Sequence, residues 1–260
     1  MYLRCLSVLL ICALPIAALS DPTLRVCADP NNLPFSNEAG QGFENKIAEL
    51  VAAKLNAQHE YTWWLQRKSF VKHSLDENSC DVVMGVPASS DDVLATKPYY
   101  RSTYVFVSRH DRDLHISSLA DPRLGEVRIG IHVVGDDYAP PAYALARHGI
   151  TRNIVGFSLF GGYGEPNPAR KLIDAVDRGE VDVAIVWGPF AGFFAKTAKA
   201  QLDIVPVTPT TFFAVPFTYE ISAGVRKGDE RLKAEIDQVL ASERTPIQRI
   251  LAEYGVPQVQ

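Results

Sequence analysis

The chain has 260 residues, 47% hydrophobic and 22% charged, with 26 Lys and Arg against 30 Asp and Glu for a formal net charge of −4. This length exceeds one small core and suits two lobes of about 100 residues each. The mild acidic balance gives no reason to expect nucleic acid or an anionic membrane as partner, and no internal repeat or low-complexity tract is present.

In chain order, residues 1–20 come first. Arg4 supplies a positive start, Leu6 to Leu19 form an apolar run, and Ala18, Leu19 and Ser20 precede Asp21 and Pro22. This is the pattern of a secretory signal peptide. It is short for a membrane span, which takes about 20 apolar residues. The mature chain is therefore expected to begin near Asp21, in the periplasm, with no further membrane insertion. Cys5 and Cys12 leave with the signal, so Cys27 and Cys80 remain. In an oxidising compartment they are expected to form one disulfide, the alternative being two buried thiols.

Leu24 to Ala28 is a short apolar strand running into the turn-rich loop DPNNLPFSNEAGQG. Glu44 to Leu55 places Ile47, Leu50, Val51 and Leu55 at helical spacing. EYTWW reads as a strand, Ser69 to Glu77 as a helix, Asp81 to Val86 as a strand buried on both faces, and Tyr104 to Ser108 as another strand. After the charged stretch SRHDRDLHISSLADPRLGE a second set begins. It comprises VRIGI, a helix from Pro141 to His148, NIVGFSL, a helix from Ala169 to Arg178, and VDVAIVW. The chain then reads as extended after Val205 and closes with helices from Glu230 to Ser242 and Pro246 to Tyr254. Alternating strands and helices predict an α/β fold of mostly parallel sheets flanked by helices. Ligands of such sheets sit beyond the carboxyl ends of strands. That places the loops after Ala28, Trp64, Val86, Ile131, Leu159 and Trp187 around a site.

The order of motifs resembles the extracellular solute-binding proteins of the amino-acid-importer type (family 3). These motifs are Gly40-Gln41-Gly42-Phe43-Glu44, Asp81-Val82-Val83-Met84-Gly85, Lys97-Pro98-Tyr99-Tyr100 and the segment Leu172 to Asp182. The strings RVCADPNNLPFSN, CDVVMGVP, TKPYYRSTYVFV, RIGIHVVGDDYAPPAYALA and VDVAIVWGP resemble the quinoprotein-dehydrogenase-associated MoxJ/XoxJ branch of that fold. The resemblance implies a two-lobed type 2 periplasmic binding protein with a two-strand hinge. Lobe 1 would hold 21–108 plus 214–260, and lobe 2 would hold 109–213. It also implies an accessory role for a pyrroloquinoline-quinone (PQQ) dependent dehydrogenase or its cytochrome. The alternatives are an importer's binding protein, for PQQ or another planar ligand and its ABC permease, or a dehydratase-like enzyme.

Amino-acid binders of this fold keep an Arg after the D-V-x-x-G strand, whose guanidinium pairs with the ligand carboxylate. Here the segment is Pro87-Ala88-Ser89-Ser90-Asp91-Asp92. The acid that meets the ligand ammonium in lobe 2 is replaced by Trp187-Gly188-Pro189. Free amino acids are therefore expected not to bind at micromolar concentration.

The expected cleft residues are Asp29, Asn31, Asn32, Phe35, Trp64, Pro87, Tyr99, Tyr100, Asp137, Tyr138, Tyr163 and Trp187. Broad aromatic faces suit a planar ligand or an inserted protein segment. Other readings stand beside this one. Each Trp serves equally as packed core, Asp136-Asp137 suits a cap on the helix near Pro140, and Asn31 to Pro34 is turn chemistry. Gly161 to Gly164 lacks the Lys and Ser/Thr of a phosphate loop. No metal spacing, G-x-S-x-G nucleophile or Ser/His/Asp set is present, so neither metal nor enzyme chemistry is expected.

Overall fold

A computed structural model describes residues 22–67, 69–135, 137–161 and 165–259. The signal-peptide reading of 1–20 and the expected roles of Asp136 and Tyr163 lie outside the described residues. Among those described, nine strands of five or more residues carry the architecture. They are β1 (Thr23–Ala28), β2 (Gln58–Trp63), β3 (Val82–Pro87), β4 (Tyr100–Arg109), β5 (Ile129–Val134), β6 (Ile154–Ser158), β7 (Val183–Trp187), β8 (Leu202–Pro206) and β9 (Thr218–Val225). The helices are α1 (Phe43–Lys54), α2 (Pro141–Arg147), α3 (Arg170–Asp177), α4 (Gly188–Phe194), α5 (Glu230–Ser242) and α6 (Arg244–Glu253).

The long strands join in the order β6-β5-β7-β4-β9-β3-β1-β2, with β8 also pairing β4. β1 pairs in parallel with β2 and β3, and β5 with β6 and β7. These two parallel halves are the sheets of the two lobes. They are linked through the long antiparallel strands β4 and β9, in register from Tyr100↔Ile221 to Thr103↔Thr218. Past Thr103, β4 leaves β9 and pairs with β7 and β8. Both strands thus pass from one lobe to the other, a hinge built from backbone ladders.

Apolar periodicity explains the layers. In α1, Phe43, Ile47, Ala48 and Val51 share one face and pack under β1 and β3 with Ile236, Leu240, Ile247 and Leu251 of the closing helices. In the other half, Leu172, Ile173 and Val176 of α3 bury against Val105, Val107, Ala184 and Val186. Val183 and Ile185, alternating with these on β7, face the opposite layer with Leu124, Ile129, Leu145 and Phe217. Cys27 on β1 and Cys80 just before β3 are disulfide-bonded with Cα atoms 5.5 Å apart. The bridge follows from the β1–β3 pairing, which sets Cys27 beside Val83.

Three elements differ from the sequence reading. The helix expected over Ser69 to Glu77 opens into a wide π-type turn at Lys72–Asp76. There the Ser74 hydroxyl donates to the Phe70 carbonyl and intrudes on the helical ladder. The strand expected at Tyr104 starts at Tyr100, because the hinge ladder captures its first four residues. Gly188-Pro189, read as loop, opens α4: a proline in the first turn needs no N–H donor. No helix among the described residues is long and apolar enough to cross a membrane.

Candidate functional site

The first loop and hinge strands of one lobe meet the end of β7 and the loop after β6 around a cavity of about 300 Å³. Its walls carry the rings of Phe35, Tyr100, Tyr104, Phe160, Trp187, Phe190 and Tyr219, with Pro87, Leu159 and Ile221 between them. The polar side chains at its wall are Asn32, Gln66 and Glu44; no Lys or Arg lines it among the described residues.

Trp187 closes β7 and N-caps α4, so its ring projects from the sheet end where the chain turns away. Tyr104 of β4 lies against it at 5.5 Å between ring centroids, and Tyr219 of β9 at 5.7 Å, edge-on. Both hinge strands thus contribute a ring to the Trp187 wall. Phe35 reaches across from the first loop to meet Phe190 edge to face at 5.1 Å.

Glu44 sits in the first turn of α1, directly below Gly85 of β3. A Cβ on Gly85 would fall 1.9 Å from Glu44 Oε1, and the residue's φ of +73° is itself glycine territory. The carboxylate keeps part of its surface in the cavity and is otherwise enclosed by protein. Burial pushes it up to about 8, far above the usual carboxylate range. Tyr61, Tyr99 and Tyr100 face it, and burial raises all three phenols too. In the other lobe His132 is buried against Phe190 at 5.4 Å, with Nε2 3.2 Å from the Ala169 carbonyl. Desolvation lowers it to about 4, so it stays neutral at neutral pH.

These shifts give a pH prediction. A carboxyl whose folded value is raised holds its proton better folded than unfolded, so its stability contribution fades as pH climbs from about 4.5 to about 8. The His132 contribution has the opposite slope and is complete above its ordinary 6.5. Between pH 6.5 and 8 the melting temperature should therefore fall, and Glu44→Gln should flatten that fall. With each displaced unit worth about 1.4 kcal/mol and part of Glu44 still facing the cavity, roughly 2 kcal/mol of added stability at pH 8 is expected for the variant. Thermal melts of both proteins across this range check it.

Of the expected cleft residues, the structure brings Asn32, Phe35, Pro87, Tyr100 and Trp187 to the cavity wall. Asp29 is a buried loop organiser: its Oδ1 accepts from the Asn31 amide at 2.8 Å and its Oδ2 from the Gln66 amide at 2.6 Å. Asn31 bridges the lobes. Its Nδ2 donates to the Glu165 carbonyl, and its Oδ1 accepts from the Asn167 amide at 3.1 Å. Tyr99 is buried in the core beside α1. Trp64 is 45% exposed and tilts against His73, outside the cavity wall. Trp63 instead stacks on Tyr61 at 4.6 Å.

Asp137 and Tyr138 are exposed and pair with Val134 and Val133 in a tight hairpin, away from the cavity wall. Asp137 does not cap α2 either. Pro140 is the N-cap residue, Pro141 follows, and no side-chain cap bond is present. The first-turn amides that a cap would satisfy go to backbone instead, Ala142 donating to the Ala139 carbonyl at 2.9 Å and Tyr143 to that of Pro140 at 3.2 Å. Sequence reasoning missed Glu44, Gln66, Tyr104, Phe160, Phe190 and Tyr219. The loops after Trp64 and Leu159 signalled Gln66 and Phe160. Glu44 was concealed as the acid of a helix-start motif, and Tyr104 and Tyr219 as ordinary strand residues.

Comparison with known proteins places this geometry. Residues 24–256 match the bacterial extracellular solute-binding proteins, family 3. Protein MoxJ of Methylorubrum extorquens is 35% identical over 249 residues, covering 90% of this chain and 81% of that protein. The crystal structure of periplasmic binding protein XoxJ from Methylobacterium extorquens AM1 aligns with a TM-score of 0.76 at 34% identity, over 91% of this chain and 99% of that one. That of MxaJ from Methylophaga aminisulfidivorans aligns with a TM-score of 0.80 at 28% identity, over 91% and 100%. With its two parallel half-sheets, its crossing strand pair and these chain-long similarities, the chain belongs to the bacterial extracellular solute-binding proteins, family 3, in the MoxJ/XoxJ branch.

Proposed function

We propose that the chain is a periplasmic accessory protein of a PQQ-dependent methanol or alcohol dehydrogenase, aiding its maturation or activation, and that the aromatic cleft is its working surface. The observation that carries this reading is the cleft wall. Seven rings and no basic side chain line it among the described residues, in a chain similar over nine-tenths of its length to MoxJ and XoxJ. A free amino acid would set its carboxylate there without a cationic partner. PQQ would set three carboxylates beside Glu44. An unpaired buried charge costs several kcal/mol, so neither suits the cavity, and an importer role for PQQ is disfavoured with it.

The size of the cavity favours a second reading at the same site, the holding of a small molecule. A helix about 10 Å across does not enter about 300 Å³ until the lobes part and the Asn31 bridge breaks. The closed form therefore accepts a small ligand or a single protruding side chain. The lobe division 21–108 plus 214–260 against 109–213 belongs to this reading. The packing of α5 and α6 with α1 supports it, while Phe217 buries with the second half.

Affinity capture from a detergent-solubilised cell-envelope extract, periplasmic contents included, tests the proposal. The mature chain as bait should retain the large subunit of a quinoprotein dehydrogenase or its cytochrome, identified by mass spectrometry. Retention of an importer permease, with no dehydrogenase component, would overturn it.

A further inference from the structure

We propose that the cleft binds a small organic cation, an alkylammonium ion carrying no carboxylate, with Glu44 as its counter-ion and Trp187, Tyr104 and Tyr219 as its walls. This deepens the small-molecule reading of the site and rests on it. Three observations converge. Among the described residues, the Glu44 carboxylate has no ion-pair or hydrogen-bond partner, although it is enclosed beneath Gly85 and opens to the cavity. Gly85 leaves the carboxylate its place there, since a Cβ would fall 1.9 Å from Glu44 Oε1. Around it the cavity wall is built of aromatic rings, and the face of such a ring attracts an alkylammonium ion through its quadrupole. The two side-chain amides at the wall engage each other, Asn32 Nδ2 donating to Gln66 Oε1 at 2.7 Å, and the Tyr219 hydroxyl donates to the Pro216 carbonyl at 3.0 Å.

With no basic side chain on the wall among the described residues, an anionic or zwitterionic ligand finds no cationic partner there, whereas a single carboxyl matches a single positive charge. Burial holds Glu44 above its ordinary range, so the empty site carries a proton rather than a bare charge. An arriving cation releases that proton and restores the ion pair. A tetramethylammonium-sized or choline-sized ion suits about 300 Å³.

Calorimetric titration of the mature protein with tetramethylammonium, choline and 3,3-dimethyl-1-butanol, the neutral isostere of choline, tests this. Choline should bind at least tenfold more tightly than the neutral alcohol. Glu44→Gln should weaken choline at least tenfold and leave the alcohol unchanged, with circular dichroism intact. Trp187→Phe, which keeps a ring in place, should retain most of the affinity. Equal binding of choline and its isostere, indifference of Glu44→Gln, or no binding of either cation would overturn the assignment. Dehydrogenase capture by the same samples keeps the two claims apart: capture without cation binding removes only the ligand class, and cation binding without capture removes only the accessory role.

Discussion

Replacing Cys27 and Cys80 together by Ala lowers the stability of the mature protein by about 4 kcal/mol in the chain-entropy model. The sulfurs join positions 53 residues apart, and reduction frees a long loop that spans α1, β2 and the π-type turn. At roughly 2–4 °C per kcal/mol for a domain of this size, the melting temperature should drop by about 10 °C. The bond also ties β1 to the loop entering β3, and both strands deliver cleft residues from their carboxyl ends. A melt of the double variant, compared with the reduced and oxidised wild type, checks the value. A drop under about 1 kcal/mol would show that the strand pairing alone fixes this corner.

Gly42→Ala should be nearly as costly. A Cβ at Gly42 would lie 1.9 Å from the Phe35 carbonyl oxygen and 2.5 Å from the Ser36 nitrogen. Those atoms are backbone and cannot rotate away. The Phe35 carbonyl accepts from the Glu44 amide at 2.9 Å, and the Asn45 side chain accepts from the Gly42 amide at 3.0 Å, so the approach is fixed from both sides. Overpacking of this kind costs about 3 kcal/mol. It should also displace Asn31 to Phe35 and open the cleft, raising the radius of gyration in solution scattering. Gly125→Ala is the control. Nothing lies within 4 Å of its Cβ position, and a change within about 0.5 kcal/mol is expected. Equal melting temperatures for the two variants would refute the close approach.

Most long elements were legible in the sequence because each satisfied one period throughout. α5 has the bounds read from its amphipathic pattern, and β7 keeps the last five residues of the segment VDVAIVW. Failures came where a local signal was overridden. Gly188-Pro189 read as loop, yet opens a helix that is buried nearly all round. Ser74 read as an ordinary helical residue, yet its hydroxyl opens the ladder. At the site, Trp187 and Phe35 were found because both stand at sheet-end loops. Glu44 was not, because its significance depends on Gly85, distant in sequence, lying directly above it. Asp137 and Tyr138 were misplaced because the chain after β5 folds straight back on that strand. Long-range register, invisible in a single sequence, decides such positions.

The cleft's role is tested most directly by measuring dehydrogenase binding to wild type and to Trp187→Ala. The Trp187 ring lines the cavity, contacts the rings of Tyr104 and Tyr219, and packs against the apolar clusters of both lobes. Truncating an anchoring Trp typically costs 2 kcal/mol or more, about 30-fold in affinity. Titration of each labelled protein with the purified dehydrogenase should show that loss in Trp187→Ala, with circular dichroism unchanged and Trp187→Phe intermediate. Equal affinity of a folded Trp187→Ala variant and the wild type would contradict the cleft's role and move the working surface to the outside of the lobes.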